Sequence, residues 1–272
     1  MGSTISQKDR GGSNMPLETE VKDLARSLGA DLVGIASPDS IHLKDNRASI
    51  EALLPGCRSL IVVAKRLNRD AISSGNTKIA QYDTLCTYQE LDRVIYRITS
   101  HLKEMGFRAV AIPPNMPIDF GPEKRGMYGE VNQKCAATAA GLGNIGISRL
   151  FLCPEFGPFV RMGSILATAD LRPDEPLNED VCTKCLECVR RCPVGALGED
   201  GSLDIGKCMK VSLLYGLPGV VRFGMKAVGL DDEELRAHIG SPALWELWQN
   251  LLIGNFNNCF ECINACPRRM KR

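Results

Sequence analysis

The segment CTKCLECVRRCP constrains this chain more than any other feature, because it sets Cys182, Cys185, Cys188 and Cys192 in the order CxxCxxCxxxCP. That is the bacterial spacing for a [4Fe-4S] cluster. Three thiolates at such short intervals wrap one face of a cubane, while the cysteine before proline is directed toward a second cluster. A zinc site is the alternative, but zinc favours two separated pairs and has no use for a third and fourth cysteine packed this closely. A second run, CFECINACP, supplies Cys259, Cys262 and Cys266 but lacks an opening cysteine, and Cys208 in GKCMK is the replacement. If the proline-linked cysteines cross over, one cluster takes Cys182, Cys185, Cys188 and Cys266, and the other takes Cys192, Cys208, Cys259 and Cys262. Two neighbouring cubanes form an electron relay, so the substrate chemistry must lie elsewhere; the bland alternative is that the clusters only staple a small domain together.

The sequence holds 12 cysteines. The remaining four, Cys57, Cys86, Cys135 and Cys153, are isolated and read as small buried hydrophobes. With 33 Lys+Arg against 32 Asp+Glu the chain has no bulk charge for binding polyanions. Its apolar runs, such as 60–64, fall far below the roughly 18 residues that span a bilayer. The opening MGSTISQKDRGGSNM has no apolar h-region and no twin-Arg pair, so residues 1–16 read as a disordered leader and the expected location is the cytoplasm.

From residue 17 onward the pattern alternates between helix and strand. Leu17, Val21, Leu24 and Leu28 repeat at helical spacing before Gly29, and ADLVGIA follows as a strand. SLIVVA (59–64) reads as the next strand. Thr87 and Glu90 form a capping-box pattern ahead of an apolar face from Tyr88 to Met105, with RAVAI (108–112) as a third strand. A helix around 131–140 leads into a glycine loop, and ISRLFLC and GSILATA then read as strands around the PEFGP turn. This alternation predicts an α/β domain with a helix-covered sheet over 17–175. A junction in LRPDEPLNE (171–179) separates it from a two-cluster ferredoxin-like domain over 176–272.

GLGNIG, with Gly141, Gly143 and Gly146, literally fits the dinucleotide fingerprint GxGxxG. That fingerprint must follow a strand and open a helix, and here the order is reversed. The glycines still mark a tight turn or a close approach.

AAGLGNIG, LFLCPEFGPFVRMGSILATADL, CTKCLECVRRCPVGAL, GKCM and CFECINACP, taken in this order, resemble the corrinoid and iron-sulfur reductases: the epoxyqueuosine reductases and the reductive dehalogenases. The resemblance spans roughly 17–267. It implies a cobalamin held in the α/β domain, with the glycine loop among its contacts, and two [4Fe-4S] clusters feeding electrons to cobalt. No DxHxxG surrounds His42, His101 or His238, in keeping with the base-off binding that the resemblance implies. YQELDRVIYRI is similar to the segment bearing the reductases' active-site tyrosine, which points to Tyr88. PIDFGPE is similar to the segment bearing their catalytic aspartate, which points to Asp119, with Glu130 as the fallback. The bland readings are a core tyrosine and a turn residue.

The implied mechanism is reductive: cobalt reduced to Co(I) cleaves a carbon-heteroatom bond, and Tyr88 or Asp119 supplies the proton. The substrate that the resemblance implies first is a tRNA carrying epoxyqueuosine, with an organohalide or another small molecule as the rival. A third reading is a corrinoid reductase or electron carrier for a partner protein. The electron donor would be a ferredoxin or flavodoxin. Many epoxyqueuosine reductases continue into a helical-repeat region, whereas this sequence ends shortly after Cys266. The twin-Arg leader and longer N-terminal region usual in dehalogenases are also missing.

Overall fold

The computed structural model describes residues 15–255 and 259–268. Apart from Met15 and Pro16, the expected leader lies outside them. The first helix, α1 (Leu17–Ser27), buries Val21 and Ala25. It ends in a Schellman turn, in which Ala30 N–H bonds Ala25 O at 3.0 Å and Gly29 N–H bonds Arg26 O at 3.0 Å. Gly29 takes φ +101°, the left-handed conformation this turn requires. Strand β1 (Leu32–Ala36), a 3-10 turn (Ile41–Asn46), α2 (Arg47–Leu53) and β2 (Ser59–Arg66) follow. After the short α3 (Arg69–Ile72) come α4 (Thr77–Glu104), β3 (Ala109–Ile112), α5 (Gln133–Ala139), β4 (Asn144–Ile145), β5 (Phe151–Leu152) and β6 (Val160–Ala167).

Four strands make one sheet in the order β1-β2-β6-β3, and every neighbouring pair is antiparallel. Strands β2 and β3 therefore run parallel to each other, joined through α4, and β6 arrives later in the chain to fill the slot between them. Helix and strand alternate as expected, yet no two hydrogen-bonded strands are parallel. Side chains alternate across the pleat, so Ile35, Ile61, Val63 and Ile165 face α1 and α4, while Ala36, Leu60, Val62 and Leu166 face the layer of α5 and the 3-10 turn. Both faces are covered, and residues 59–64 of the central strand β2 are all buried.

Two expected boundaries move. Helix α4 starts ten residues before Thr87, at Thr77, where the Asn76 side chain accepts from Lys78 and Ile79 N–H. Thr87 is a buried interior position, not a cap, and Tyr88 lies mid-helix. The run 147–153 is mostly turn, with Arg149 at φ +61°, and only Phe151–Leu152 pairs as strand.

The junction after Leu171 carries no regular element but is tied down. Asp174 pairs with the open edge of β1, its backbone N–H donating to Ile35 O at 2.8 Å. Its carboxylate accepts from Ile35 N–H at 2.8 Å and meets Lys22 Nζ at 2.5 Å. Beyond it lie α6 (Glu187–Arg190), α7 (Ile205–Ser212), α8 (Gly216–Ala227), α9 (Asp232–Ile239), α10 (Pro242–Leu252) and α11 (Glu261–Asn264). Phe260 and Ile263 pack with Leu67, Ile72, Ala80 and Phe159, and Asn264 bonds Ile72 O and Ser73 Oγ, which docks the last cysteine segment on the first domain. Among the described residues no helix is long and apolar enough to cross a membrane.

Candidate functional site

The approach to the first cysteine is fixed by a residue that no motif flags. The Asn144 side chain donates to Glu179 O at 2.8 Å and accepts from Val181 N–H at 3.0 Å, clamping the chain just before Cys182. Lys184 and Leu186 then adopt left-handed φ values of 53° and 63°. These turns let Cys182, Cys185 and Cys188 face one space, whose wall also includes Cys266, Ile147 and Ser148. Cys185 is the exposed member of the twelve cysteines.

Electrostatics sorts the eight thiols in the same way. Burial pushes Cys188 up and the thiols of Cys182 and Cys185 add to it. Cys266 is raised by burial, and Cys182, Cys185 and Cys188 push in the same direction. The other four answer to one another. Cys208 is raised by burial and by Cys192, and Cys259 by burial, Cys208 and Cys192. Cys262 is pushed up to about 12, by burial first and then by Cys259, Cys208 and Cys188. The influence of Cys188 on Cys262 shows that the two sets adjoin. Cys192 is the exception: burial works against its thiolate, but hydrogen bonds from the backbone at Val194, Gly195, Ala196 and Leu197 outweigh that and lower its pKa. A thiolate held by such a nest is ready to bind metal.

Among the described residues no group of three or more His, Cys, Asp or Glu converges tightly enough for a single metal ion. Zinc draws four thiolates to about 2.3 Å from one centre. A cubane is wider than a single ion, which suits the space lined by Cys182, Cys185, Cys188 and Cys266. Burial and their neighbours hold Cys188, Cys208, Cys259, Cys262 and Cys266 toward the neutral thiol, and a positively charged iron core would offset the cost of ionising them.

The glycine loop packs against the protein's own chain. A Cβ on Gly141 would meet Glu175 O at 2.3 Å, and one on Gly143 would meet Leu152 O at 2.0 Å. At Gly146 it would stand 2.6 Å from Leu152 Cδ1 and 3.2 Å from Cys182 Sγ. The close approach expected from these glycines is thus to the junction, to β5 and to Cys182. As contacts for a cofactor, Gly141 and Gly143 are filled from within.

Tyr88 is half-buried on α4 beside the core between α4 and the sheet. The Arg161 guanidinium of β6 lies 5.9 Å from its ring centroid, within the range of a cation–π contact. Arg161 also acts on Asp83, whose carboxyl is raised by burial and partly restored by Asn68 N–H and Arg161. Asp119 and Glu130 belong to a different group. The Asp119 carboxylate is exposed, accepts from Gly121 N–H at 2.7 Å and is held below the usual range by that bond and by Lys124. Lys124 Nζ sits 3.4 Å from Asp119 and 3.8 Å from Glu130, with the Tyr128 ring centroid 5.7 Å away. In this conformation Asp119 is a carboxylate and a poor acid. Asp83 and Asp92, which carry no motif, have carboxyls raised by burial instead.

A further polar set lies in the layer between α5 and the sheet. Gln133 Nε2 and Oε1 and Asn46 Nδ2 are buried without hydrogen-bond partners, as is Ser164 Oγ on β6.

Residues 175–198 match the 4Fe-4S binding domain family. The chain is 30% identical over 221 residues to an epoxyqueuosine reductase from Gloeobacter violaceus, covering 71% of this chain and 65% of that protein. The chain is thus similar to the epoxyqueuosine reductases over most of its own length. It also matches a tetrachloroethene reductive dehalogenase from Sulfurospirillum multivorans, at 27% identity over 67% of this chain and 41% of the other. The fold matches that of an epoxyqueuosine reductase solved with an epoxyqueuosine-modified tRNA stem loop, with TM-score 0.56 and 20% identity over 93% of this chain and 65% of that one. The chain spans less than two thirds of the length of these epoxyqueuosine reductases.

Proposed function

We propose that this chain is a reductase of the epoxyqueuosine reductase type, in which two [4Fe-4S] clusters deliver electrons to a base-off cobalamin in the domain of residues 17–175. The sorting of eight cysteines into two adjoining sets of four carries this reading. The residues to hold the clusters are Cys182, Cys185, Cys188 and Cys266 for one, and Cys192, Cys208, Cys259 and Cys262 for the other.

When bound, the clusters supply electrons singly and the cobalamin supplies a strongly reducing, nucleophilic cobalt. Removal of an epoxide oxygen as water consumes two electrons and two protons, so two one-electron centres match one turnover. The chain's own part is to bring electrons in and to deliver protons. The exposed Cys185 marks the edge where a ferredoxin or flavodoxin would hand over electrons. In this reading Tyr88 gives the proton to the cleaved bond. Arg161 near its ring stabilises any negative charge left on the phenol. Asp119 would take part only if its loop released Lys124.

The test is turnover of a tRNA stem loop bearing epoxyqueuosine by the chain loaded with iron, sulfide and cobalamin, with reduced flavodoxin as donor. Queuosine should form only when cobalamin is present. No product with full cofactor loading refutes the tRNA substrate, and a parallel assay with organohalides then tests the dehalogenase reading. Product formed without cobalamin would overturn the corrinoid mechanism.

A further inference from the structure

Helix α10 turns its polar residues toward the protein and its largest apolar ones toward solvent. Asn250 is buried and donates from Nδ2 to Glu246 O at 2.7 Å, while the Glu246 carboxylate accepts from the Tyr215 hydroxyl at 2.7 Å and meets Lys78 Nζ. These bonds fix the rotation of the helix. Leu247 is buried beside them, but Trp245, Trp248 and Leu252, at i, i+3 and i+7, are 63%, 49% and 66% exposed. Helix α8 is arranged in the same way. Gly219 is buried where a Cβ would stand 3.0 Å from Leu247 Cδ1, and the opposite side exposes Leu217, Val221, Met225 and Val228 at i, i+4, i+8 and i+11. Among the described residues, twelve of the twenty exposed large apolar side chains lie within 214–253. Scattered apolar side chains are ordinary on a surface, whereas this concentration marks a face that something covers.

Area and charge both point to a second copy of this chain. At these exposures the two indoles present roughly 200 Å² and the ten other side chains on the order of 500 Å², against the about 800 Å² that each partner gives to a standard interface. The charges of the segment complement one another. Helix α8 carries Arg222 and Lys226 and no acid, whereas Asp231, Asp232, Glu233 and Glu234 open α9, and all six are exposed. A two-fold axis sets the bases of one copy against the acids of the other. The same four acids disfavour an anionic membrane surface, which would otherwise suit an apolar face bearing tryptophan. We infer that the helical segment 213–253 is a self-association surface, at which α8 and α10 of one copy pack on those of a second in an isologous dimer. This stands apart from the cofactors and the substrate proposed above.

The test is sedimentation velocity on the full chain with its clusters reconstituted. Wild type should sediment as a dimer at micromolar concentration. Val221→Glu and Trp248→Glu change only exposed positions, so each should raise the dimer dissociation constant at least about tenfold while iron content and circular dichroism stay at wild-type values. Lys226→Glu, and the Asp232→Lys, Glu233→Lys double variant, should each weaken self-association, and a mixture of the two should form heterodimers, because every reversed charge then meets its complement. A monomeric wild type overturns the proposal, as does wild-type association by both glutamate variants. A ladder of species larger than two also overturns it, since an isologous contact closes at the dimer. A monomer that sediments with vesicles of phosphatidylcholine and phosphatidylglycerol, and loses them on Trp248→Glu, would assign the face to a membrane instead.

Discussion

Gly146→Ala tests the link between the glycine loop and the cluster site. Gly146 lies outside the left-handed region, so the substitution acts through space alone and not through backbone strain. The added methyl would sit 2.6 Å from Leu152 Cδ1, 3.2 Å from Cys182 Sγ and 3.3 Å from Cys182 Cβ, where ordinary contact begins near 3.4 Å. Leu152 is 2% exposed and has little room to yield, so part of the displacement must fall on Cys182. Overpacking of this kind costs about 1–3 kcal/mol. Because Cys182 is assigned to one cluster only, the loss should be selective: iron falling from about eight per chain toward four, with one EPR signal broadened or lost and the other kept. Gly224→Ala is the control, since it lies inside α8 with nothing within 4 Å, and it should stabilise the protein by about 0.5–1 kcal/mol with full iron. Full iron, unchanged EPR and an unchanged melt for Gly146→Ala would refute the placement of Cys182 at a cluster.

Tyr88→Phe should leave cobalamin binding and cobalt reduction near wild type while turnover falls by about 100-fold to 10,000-fold, the usual range for loss of a general acid; unchanged turnover returns Tyr88 to the core. Replacing Cys57, Cys86, Cys135 or Cys153 by Ala should leave both cluster signals intact by EPR. Cys153, fully buried and raised to about 11 by burial, is the most stringent of these. Glu246 is held low by Lys78 and the Tyr215 hydroxyl, so its stabilising effect is present above the ordinary carboxylate pKa and is lost as pH falls through its lower folded value. Thermal melts between pH 6 and pH 3 should therefore show a smaller acid loss for Glu246→Gln than for wild type.

What the sequence discloses and what it hides divides along the range of the interactions. The cysteine run is legible because cubane ligation is set by spacings of two or three residues. The end of α1 at Gly29 is likewise local chemistry. The start of α4 is hidden because its first three turns bury Gln81, Thr84 and Thr87 as well as Ala80, so the apolar stripe fades while the helix continues. Inside the helix, Thr87 and Glu90 imitate a cap. The antiparallel sheet is illegible for a different reason: β6 enters between β2 and β3 from about fifty residues downstream of β3, and nothing local encodes that insertion. The same holds for the site. Arg161 over Tyr88 joins residues that the chain separates widely. Asp119 shows the converse, since its motif is local while its protonation is set by Lys124 and Gly121.

The central claim is that electrons pass through two clusters to cobalamin, and the most direct test is anaerobic reduction of the fully loaded chain followed by absorbance. In the wild-type protein, limiting dithionite should first bleach the clusters and then raise the cob(I)alamin band. In the Cys208→Ala, Cys259→Ala double variant, which lacks one cluster, bound cobalamin should be reduced far more slowly. Equal rates of cobalt reduction in the two proteins, or iron near four per wild-type chain, would contradict the account.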